Sequence, residues 1–328
     1  MKRMLSGIKP SGQLTLGNYI GALRNFVGFQ DEYEMFVFIA NLHCITVYQD
    51  PEELRRNLRE AATLYLACGL DPNKATIFLQ SDIKEHSQLG YILACNSYQG
   101  ELNRMTQYKE KIQKKEKSIT VGLYTYPVLM ASDILIYDAD YVPVGEDQKQ
   151  HVELARDIAE RFNNNYGSTF KLPQPLIPKV GARIMDLQEP TRKMSKSDNN
   201  AKGCIYLMDD LKVARKKIMS AVTDNEANVH YDKKQQPGIA NLLTILSSLT
   251  KESISSITKR YQGKGYGEFK KEVADVVCAT LAEIQSKYEQ IDKSDILDEV
   301  LIQGAKKATV LASKKLHDVQ LKIGIEIK

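Results

Sequence analysis

The amino-acid sequence predicts an α/β fold in which a parallel sheet carries helices on both faces and is followed by a helical domain. In the first half of the chain, short apolar runs alternate with longer segments whose apolar residues recur at helical spacing. Strands that alternate with helices in this way form parallel sheets. After residue 201 the apolar residues recur almost only at helical spacing, which predicts a helical domain.

Four strands are predicted in the first half of the chain. Each is a short apolar run bounded by turn residues or by a helical pattern. The run from residue 35 to 40 is continuously apolar, as expected for a strand that is buried on both faces. The predicted strands are residues 4–8, 35–40, 76–79 and 141–144.

The helices of this half are predicted from apolar spacing and from their end signals. Asp50 and Pro51 are typical of an N-cap and a first helical position, and they begin a helix that ends near residue 67. The other helices are predicted to start near Gly17, to span residues 124–137 with a kink at Pro127, and to run from Glu146 to about Asn163.

The second half of the chain is predicted to contain five helices, separated by glycine and proline turns. They are residues 208–221, 240–248, 254–261, 268–290 and 295–321. We therefore expect a sheet-containing domain in the first 200 residues or so and a helical domain after residue 201. A lysine-rich stretch, 109–117, is most simply a solvated loop or helix face.

Composition sets limits on the class of protein. The 328 residues fit about two domains, and the net charge of +4 does not by itself indicate nucleic acid. The five cysteines are far apart without a CxxC pair, so a disulfide framework or zinc site is not expected and a reducing compartment is favoured. No signal peptide or membrane span is expected behind the N-terminus, which indicates the cytoplasm.

The segment Lys193-Met194-Ser195-Lys196-Ser197 is the most informative stretch of the chain. It lies in a polar segment, residues 191–200, without apolar periodicity, and we expect a mobile loop. Two lysines three positions apart can neutralise charge that develops on a phosphate. The alternative is an ordinary solvated charge run.

Residues 10–18 lie between the first strand and the first helix, where open parallel sheets bind nucleotides. Gly12 permits a tight turn, and Gly17 leaves room for a base or sugar to approach the backbone. Free N–H groups at the helix start favour phosphate, and Thr15 and Asn18 can donate hydrogen bonds. The alternative is a glycine-rich turn that binds nothing.

Residues 145–148 form a second junction between a strand and a helix. Glu146 can simply cap the helix, whereas Asp147 can accept hydrogen bonds from two ribose hydroxyls. His151, on the apolar face of the following helix, is more typical of a satisfied, partly buried histidine than of a ligand-binding one.

Tyr126, Met130 and Asp133 lie on one face of the predicted helix 124–137. Asp133 lies within an apolar stretch, and a buried carboxylate needs hydrogen-bond partners. It either accepts structural N–H groups or recognises an N–H group of a ligand. His43, after the second strand, is a lone histidine and is structural by default.

Two of these segments together resemble a known pair of signatures. Residues 15–18 (TLGN) are similar to the His-Ile-Gly-His signature of class I aminoacyl-tRNA synthetases, and residues 193–197 match their second signature, Lys-Met-Ser-Lys-Ser, letter for letter. Residues 10–23, 126–133 and 145–163 are similar to the bacterial tryptophanyl-tRNA synthetases, a family of that class. The resemblance covers nearly the whole chain. Tyrosyl-tRNA synthetases share the fold and are the nearest alternative.

The resemblance implies a Rossmann-like catalytic domain over residues 1–204, including the signature loop at 191–200, and a helical anticodon-binding domain over residues 205–293. It also implies C-terminal helices over residues 294–328 that pack back on the catalytic domain. It implies a two-step reaction in which L-tryptophan attacks the α-phosphate of ATP with Mg²⁺ and is then transferred to the terminal adenosine of tRNA(Trp). Positioning and charge stabilisation would carry most of the rate. It also implies a homodimer.

The resemblance assigns pyrophosphate contacts to Lys193 and Lys196, a phosphate contact to Lys111 from its loop, and nucleotide binding to Asn18. Thr15 and Asn18 stand where the first signature has histidines, and Lys9 stands where glutamine is frequent. The residues implied to bind ATP are Lys9, Pro10, Ser11, Gly17, Asn18, Gly145, Glu146, Asp147, Ile184, Lys193, Met194, Ser195, Lys196 and Ser197.

For tryptophan, the resemblance implies that Asp133 accepts the indole N–H, while Tyr126 and Gln148 lie near the amino group. A site that accepts this N–H rejects phenylalanine by a factor on the order of 10⁴ or more, because phenylalanine leaves a buried carboxylate unpaired. The residues implied to bind tryptophan are His43, Tyr126, Met130, Asp133, Val142, Val144 and Gln148.

Basic side chains of the helical domain are candidate contacts to tRNA phosphates. They are Lys212, Arg215, Lys216, Lys217, Lys233, Lys234, Lys259 and Arg260. Two other functions stay open at this point: a non-catalytic protein that binds nucleotide or tRNA, and a tyrosine-specific ligase. The presence of Lys193, Lys196 and Asp147 favours the ligase over the non-catalytic protein.

Overall fold

A computed structural model describes residues 1–10, 13–113, 120–145, 148–177, 182–194 and 202–327, without the side chains of 110–113. Five strands form one parallel sheet, and their order across it is β3-β2-β1-β4-β5. The strands are β1 (Arg3–Ile8), β2 (Glu34–Ile39), β3 (Ala75–Leu79), β4 (Tyr141–Pro143) and β5 (Gln174–Leu176). The α/β prediction is confirmed.

Helices flank the sheet and then form the second half of the chain. In the part before β5 they are α1 (Leu16–Asn18), α2 (Arg24–Gly28), α3 (Asn41–Cys44), α4 (Pro51–Ala67), α5 (Glu85–Ala94), α6 (Gln99–Asn103), α7 (Thr106–Gln113), α8 (Val121–Leu135) and α9 (Lys149–Tyr166). After β5 they are α10 (Leu211–Met219), α11 (Pro237–Thr250), α12 (Ile254–Arg260), α13 (Tyr266–Asp292) and α14 (Ile296–Ile323). A π-helical turn, Tyr19–Leu23, joins α1 to α2.

The four predicted strands are present, and β5 was missed. This strand contains Pro175, which pairs with Val142 of β4. Proline cannot donate a hydrogen bond to a sheet and is therefore confined to edge strands, bulges and strand ends. Because β5 lies at the edge of the sheet, the proline is tolerated there.

Helix ends agree with the sequence where capping residues mark them. The Asp50 carboxylate accepts hydrogen bonds from the N–H groups of Glu52 and Glu53, at 3.0 and 2.9 Å, and α4 spans the predicted residues. By contrast, α9 begins at Lys149 rather than at Glu146. The lysine-rich stretch 109–117 was predicted as a loop or a helix face; its residues 109–113 belong to α7, so Lys111 lies on a helix and not on a loop.

The last helix, α14, packs on the sheet. Gly304 lies directly on β3, and a β-carbon at this position would come within 1.7 Å of the Ile77 carbonyl oxygen. Ala308, Ala312 and Leu316 continue the same face and are buried in the core between sheet and helices. Small residues thus let the helix approach the backbone of the strand closely.

Helices α10 to α13 form a second core, which continues into the first half of the chain. Val273 and Leu281 of α13 are buried with residues of α10 and α11, and the same cluster includes Leu16 and Met194. The described residues include no helix that is long and apolar enough to cross a membrane.

Candidate active site

A cavity of about 420 Å³ opens at the carboxyl ends of β1, β2 and β4. This is the edge of a parallel sheet at which ligands bind, and the volume is in the range of small-molecule sites. Lys9 and Gly145, which follow β1 and β4, line it. It is also lined by all seven residues implied to bind tryptophan: His43, Tyr126, Met130, Asp133, Val142, Val144 and Gln148. We name it the amino-acid cavity.

Asp133 of α8 is fully buried at the wall of this cavity, and its carboxylate accepts hydrogen bonds from three side chains. The Gln80 amide nitrogen lies 2.9 Å from both carboxylate oxygens. His86 Nδ1 lies 2.6 Å from Oδ1, and His43 Nε2 lies 2.8 Å from Oδ2. These four contacts correspond to the four lone pairs of a carboxylate.

The donors keep Asp133 ionised in spite of its burial. Desolvation raises the pKa of the carboxyl group, but the hydrogen bonds from His43 and His86 outweigh it and lower the pKa to about 2. The site therefore presents a permanent buried anion to the cavity, and an N–H group is the complementary ligand atom.

The sequence did not reveal Gln80 and His86 as partners of this aspartate. Both residues follow the carboxyl end of β3, so their position after a parallel strand was the available signal. His43 was taken as structural by default from its isolation in the sequence. It is a wall residue of the cavity and contacts Asp133 directly.

Tyr126 of α8 lines the cavity, and its hydroxyl is held by two side chains. Its oxygen is 2.9 Å from the Gln107 side-chain oxygen and 2.8 Å from His151 Nε2. Because Gln107 can only accept at this atom, the hydroxyl donates to it and accepts from His151. Burial raises the pKa of Tyr126 to about 12, so the phenol keeps its proton. His151 is fully buried rather than partly buried.

The first signature segment is closed by a reciprocal cap. The Thr15 hydroxyl accepts from the Asn18 N–H at 3.0 Å, and the Asn18 side-chain oxygen accepts from the Thr15 N–H at 3.1 Å. This capping box ties the two ends of α1 together. The Nδ2 group of Asn18 has no partner among the described residues and remains available to a ligand.

The two signature segments meet at Gly17. A β-carbon on Gly17 would lie 3.4 Å from Met194 Cβ and 3.6 Å from Ile184 Cβ. Leu16, Ile184 and Met194 are buried in one apolar cluster. Hydrophobic packing therefore brings residues almost 180 positions apart in the sequence to one place.

The segment from Ile184 to Leu187 pairs with described residues on both sides of positions 195–201, which include the end of the second signature. Lys193 forms an antiparallel bridge with Met185, and its side chain is exposed. On the other side, the Leu187 N–H donates to the Gly203 carbonyl at 2.9 Å. The described residues on both sides of these positions are therefore fixed by backbone hydrogen bonds.

Several predicted site residues lie outside the described residues. They are Ser11, Glu146, Asp147, Ser195, Lys196 and Ser197, together with the side chain of Lys111. Of the remaining nucleotide residues, Pro10 is buried and Lys9 is exposed. Within the described residues, no group of three or more His, Cys, Asp or Glu side chains could hold a metal ion.

One of the predicted phosphate contacts in the helical domain was wrong. The Lys217 ammonium lies 2.7 Å from the Asp209 carboxylate and 2.8 Å from the Cys204 carbonyl oxygen, and its side chain is largely buried. It stabilises the base of α10 and is not free to meet tRNA. Arg215 and Arg260 form exposed ion pairs with Asp275 and Glu272; such pairs are weak and are easily exchanged for a phosphate.

A family model described as tRNA synthetases class I (W and Y) matches residues 1–282 of this chain. The tryptophan–tRNA ligase of Oceanobacillus iheyensis is 55% identical to it over 325 residues, which are 99% of each chain. The ligase of Bacillus anthracis is 52% identical over 328 residues, which cover 100% of this chain and 99% of its own.

Solved structures agree with these sequence comparisons. The crystal structure of tryptophanyl-tRNA synthetase from Mycoplasma pneumoniae has a TM-score of 0.83 and 42% identity, with all of both chains covered. That of the Campylobacter jejuni enzyme, complexed with ADP and tryptophan, has a TM-score of 0.86 and 39% identity, covering 98% of this chain and 99% of its own. The chain therefore belongs to the class I tRNA synthetases for tryptophan and tyrosine, and within them to the bacterial tryptophanyl-tRNA synthetases.

Proposed function

We propose that this protein is a tryptophan–tRNA ligase in which the amino-acid cavity binds L-tryptophan and the neighbouring signature segments bind ATP. One observation carries the proposal. The seven residues that the sequence resemblance implies for tryptophan come from four separate parts of the chain, and all of them line the one cavity at the carboxyl ends of the strands. A buried, ionised Asp133 in that wall is the acceptor that an indole N–H requires.

In the proposed reaction, the tryptophan carboxylate attacks the α-phosphorus of ATP. A new P–O bond forms, the bond to pyrophosphate breaks, and tryptophanyl-adenylate results. The terminal adenosine hydroxyl of tRNA(Trp) then attacks the activated carbonyl, and AMP leaves. Neither step needs a covalent bond to the enzyme, so orientation and neutralisation of charge supply most of the rate.

Different residues are proposed to bind the amino acid, the nucleotide and the leaving pyrophosphate. Tyr126, held between Gln107 and His151, has an oxygen lone pair for the ammonium group of the amino acid. Asn18 Nδ2 is available to the nucleotide. The expected free N–H groups at the start of α1 are not found at Leu16 and Asn18, whose N–H groups donate to the Ile205 carbonyl and the Thr15 hydroxyl. Lys193 and Lys196 are assigned to the leaving pyrophosphate by the family resemblance, and Met194, which follows Lys193 in the sequence, packs beside Gly17.

Mg²⁺ is proposed to enter with ATP, whose phosphate oxygens it would bind and whose charge it would reduce. Magnesium usually keeps several waters and uses few protein ligands when a substrate phosphate is present.

We also propose a homodimer, with an apolar surface next to the cavity as its interface. Ile45, Tyr48 and Val121 are 62%, 90% and 78% exposed. They lie on two neighbouring segments, because the Thr120 hydroxyl donates to the Thr46 carbonyl at 2.7 Å. Exposed apolar patches of this kind mark interaction sites, and a second copy is the occupant that the symmetry of most oligomers favours.

The dimer is tested with Val121→Lys in sedimentation equilibrium. We expect a shift from dimer to monomer. Val310→Lys is the matched control, since Val310 is 70% exposed on α14, and it should leave the dimer intact. A wild-type protein that is monomeric at micromolar concentration would refute the proposed dimer.

The proposed activity is tested by exchange of labelled pyrophosphate into ATP, with tryptophan and tyrosine measured side by side. We expect exchange with tryptophan and a rate with tyrosine that is lower by a factor on the order of 10³ or more. Faster exchange with tyrosine would identify a tyrosine-specific ligase. No exchange with either amino acid, from protein that binds ATP, would indicate a non-catalytic relative.

A further inference from the structure

A row of three buried side chains extends from the amino-acid cavity into the protein interior. Asp133, at the cavity wall, contacts His86 through Oδ1 and Nδ1 at 2.6 Å. His86 in turn contacts the Tyr137 hydroxyl through Nε2, also at 2.6 Å. His86 and Tyr137 are buried and do not line the cavity. Their hydrogen bonds can therefore reach a ligand only through Asp133.

The two contacts define the proton positions on the His86 ring. An ionised carboxylate can only accept, so Nδ1 carries the proton that faces Asp133. Burial raises the pKa of the Tyr137 phenol far above its usual range, with the charge of Asp133 adding to the effect. Tyr137 consequently keeps its proton and can donate it to Nε2, which selects the tautomer with its proton on Nδ1, the one that Asp133 needs.

The position of the ring is fixed as firmly as its tautomer. The ring centroids of Phe38, Phe78 and Tyr137 lie 5.8, 6.2 and 5.4 Å from that of His86. The Ser132 hydroxyl donates to the His86 carbonyl oxygen at 2.6 Å. With backbone and ring both held, the Nδ1–H direction has little freedom.

The two oxygens of Asp133 differ in their surroundings. Oδ1 is bound by His86 and Gln80, which are both completely buried. Oδ2 shares the Gln80 amide but has as its other partner His43, a residue of the cavity wall. Oδ1 is thus the anchored oxygen, and Oδ2 is the oxygen within reach of a ligand.

We propose that His86, held by Tyr137, is the positioning residue for tryptophan recognition: it fixes Oδ1 of Asp133 so that Oδ2 is presented to the indole N–H. This inference rests on the proposed function. Without the Nδ1–H donor, only Gln80 and His43 hold the carboxylate, which can then turn about its Cβ–Cγ bond and move Oδ2 away from the cavity. Tryptophan binding then weakens, while ATP, which contacts other residues, is bound as before.

The test compares His86→Leu with His86→Asn in the pyrophosphate exchange assay. Leucine removes the donor, whereas the asparagine amide places an N–H close to the position of Nδ1. A hydrogen bond to a buried charge corresponds to about 10- to 100-fold in an equilibrium constant. We therefore expect His86→Leu to raise the KM for tryptophan by at least about ten-fold while the KM for ATP stays within about two-fold.

His86→Asn should restore the tryptophan KM to within about three-fold of the wild-type value. A purely structural role predicts instead that both variants lower the amount of active enzyme and leave both KM values unchanged; this result overturns the proposal. An equal rise of the KM values for tryptophan and ATP also overturns it.

Should His86→Leu fail to fold, Tyr137→Phe carries the test, because it removes only the hydroxyl that fixes the tautomer. We expect a smaller rise of the tryptophan KM, about three-fold, with no change for ATP. An unchanged tryptophan KM in a folded Tyr137→Phe enzyme overturns the proposal. Pyrophosphate exchange by the wild-type enzyme is measured in parallel. No exchange by the wild-type enzyme refutes the proposed function. Exchange by the wild-type enzyme, together with variants whose KM for tryptophan is unchanged, refutes only the role of His86.

Discussion

Replacement of Gly17 by alanine should separate the stability of this protein from its activity. Gly17 is the middle residue of α1, at the junction of the two signature segments. Its backbone is not in the left-handed region that favours glycine, since the residues with positive φ lie elsewhere among the described ones. Alanine can therefore adopt the same backbone conformation without strain.

The atoms around Gly17 determine how much the substitution changes the free energy of unfolding and how much it changes the activity. The added methyl carbon would lie 3.4 Å from Met194 Cβ, 3.5 Å from the Thr15 hydroxyl and 3.6 Å from Ile184 Cβ. These distances are those of ordinary or slightly tight van der Waals contacts, which lower the stability of the folded protein only a little. Replacing a helical glycine by alanine stabilises a protein by about 0.5–1 kcal/mol, because it lowers the conformational entropy of the unfolded chain. We therefore expect the free energy of unfolding to stay level or rise.

The same methyl group would occupy the space into which the nucleotide is proposed to enter. We expect the KM for ATP to rise or the exchange rate to fall by about 100-fold or more, because small misplacements at a reacting centre cost that much. The KM for tryptophan should change little. Urea unfolding and pyrophosphate exchange on the same preparation measure both quantities.

Gly28→Ala is the matched control for Gly17→Ala. Gly28 ends α2 in the helical region, at φ −61°, and a β-carbon there would meet no atom within 4 Å. This variant should show the same small gain in stability with full activity. A Gly17→Ala enzyme that exchanges pyrophosphate at the wild-type rate would refute a nucleotide role for Gly17. A loss of stability greater than about 1 kcal/mol would refute the packing argument.

Three further predictions concern stability and the signature loop. Gly304→Ala should destabilise by about 2 kcal/mol or more in urea unfolding, because its methyl group would meet the Ile77 carbonyl oxygen. The pKa of Asp133 is lowered from 3.8 to about 2. Its ionised form should therefore add about 2 kcal/mol to the free energy of unfolding above pH 4, and this contribution should be lost as the pH falls towards 2. The free energy of unfolding of Asp133→Asn, measured from pH 2 to 6, should lack this pH dependence. Met194→Ala leaves a cavity beside Gly17 and should lower the free energy of unfolding by about 2–4 kcal/mol. It should also slow pyrophosphate exchange without raising the KM for tryptophan. An unchanged exchange rate would show that Met194 contributes only to packing.

Much of the fold could be predicted from the sequence because its elements carry local signals. The apolar run of β2 and the Asp50 cap of α4 depend on neighbouring residues alone, and both are where the sequence places them. The missed strand β5 contains Pro175, whose local signal opposes a strand. Only the position of β5 at the sheet edge, a property of the complete fold, makes that proline acceptable.

The residues of the candidate site likewise fall into two groups, those that local sequence signals could reveal and those that they could not. Tyr126 and Asp133 were found because they share one helix, where spacing alone places side chains on the same face. Their partners Gln80, His86 and Gln107 come from other elements and make contacts 53, 47 and 19 positions away. No period or motif in the sequence connects such residues, and only tertiary packing brings them together.

The contacts also explain why a buried aspartate can serve specificity rather than stability alone. A fully satisfied carboxylate in the interior is a rigid structural element. Asp133 has buried donors on one oxygen and a cavity-wall histidine on the other, so an indole N–H has only to share or replace the His43 contact at Oδ2. An amino acid without this N–H either leaves the His43 contact in place and gains nothing, or displaces His43 and leaves Oδ2 without that donor, which is the unpaired carboxylate expected from the sequence. Selection for tryptophan would thus arise from competition between the ligand and His43, and the strength of the His43 contact would set how sharply phenylalanine and tyrosine are rejected.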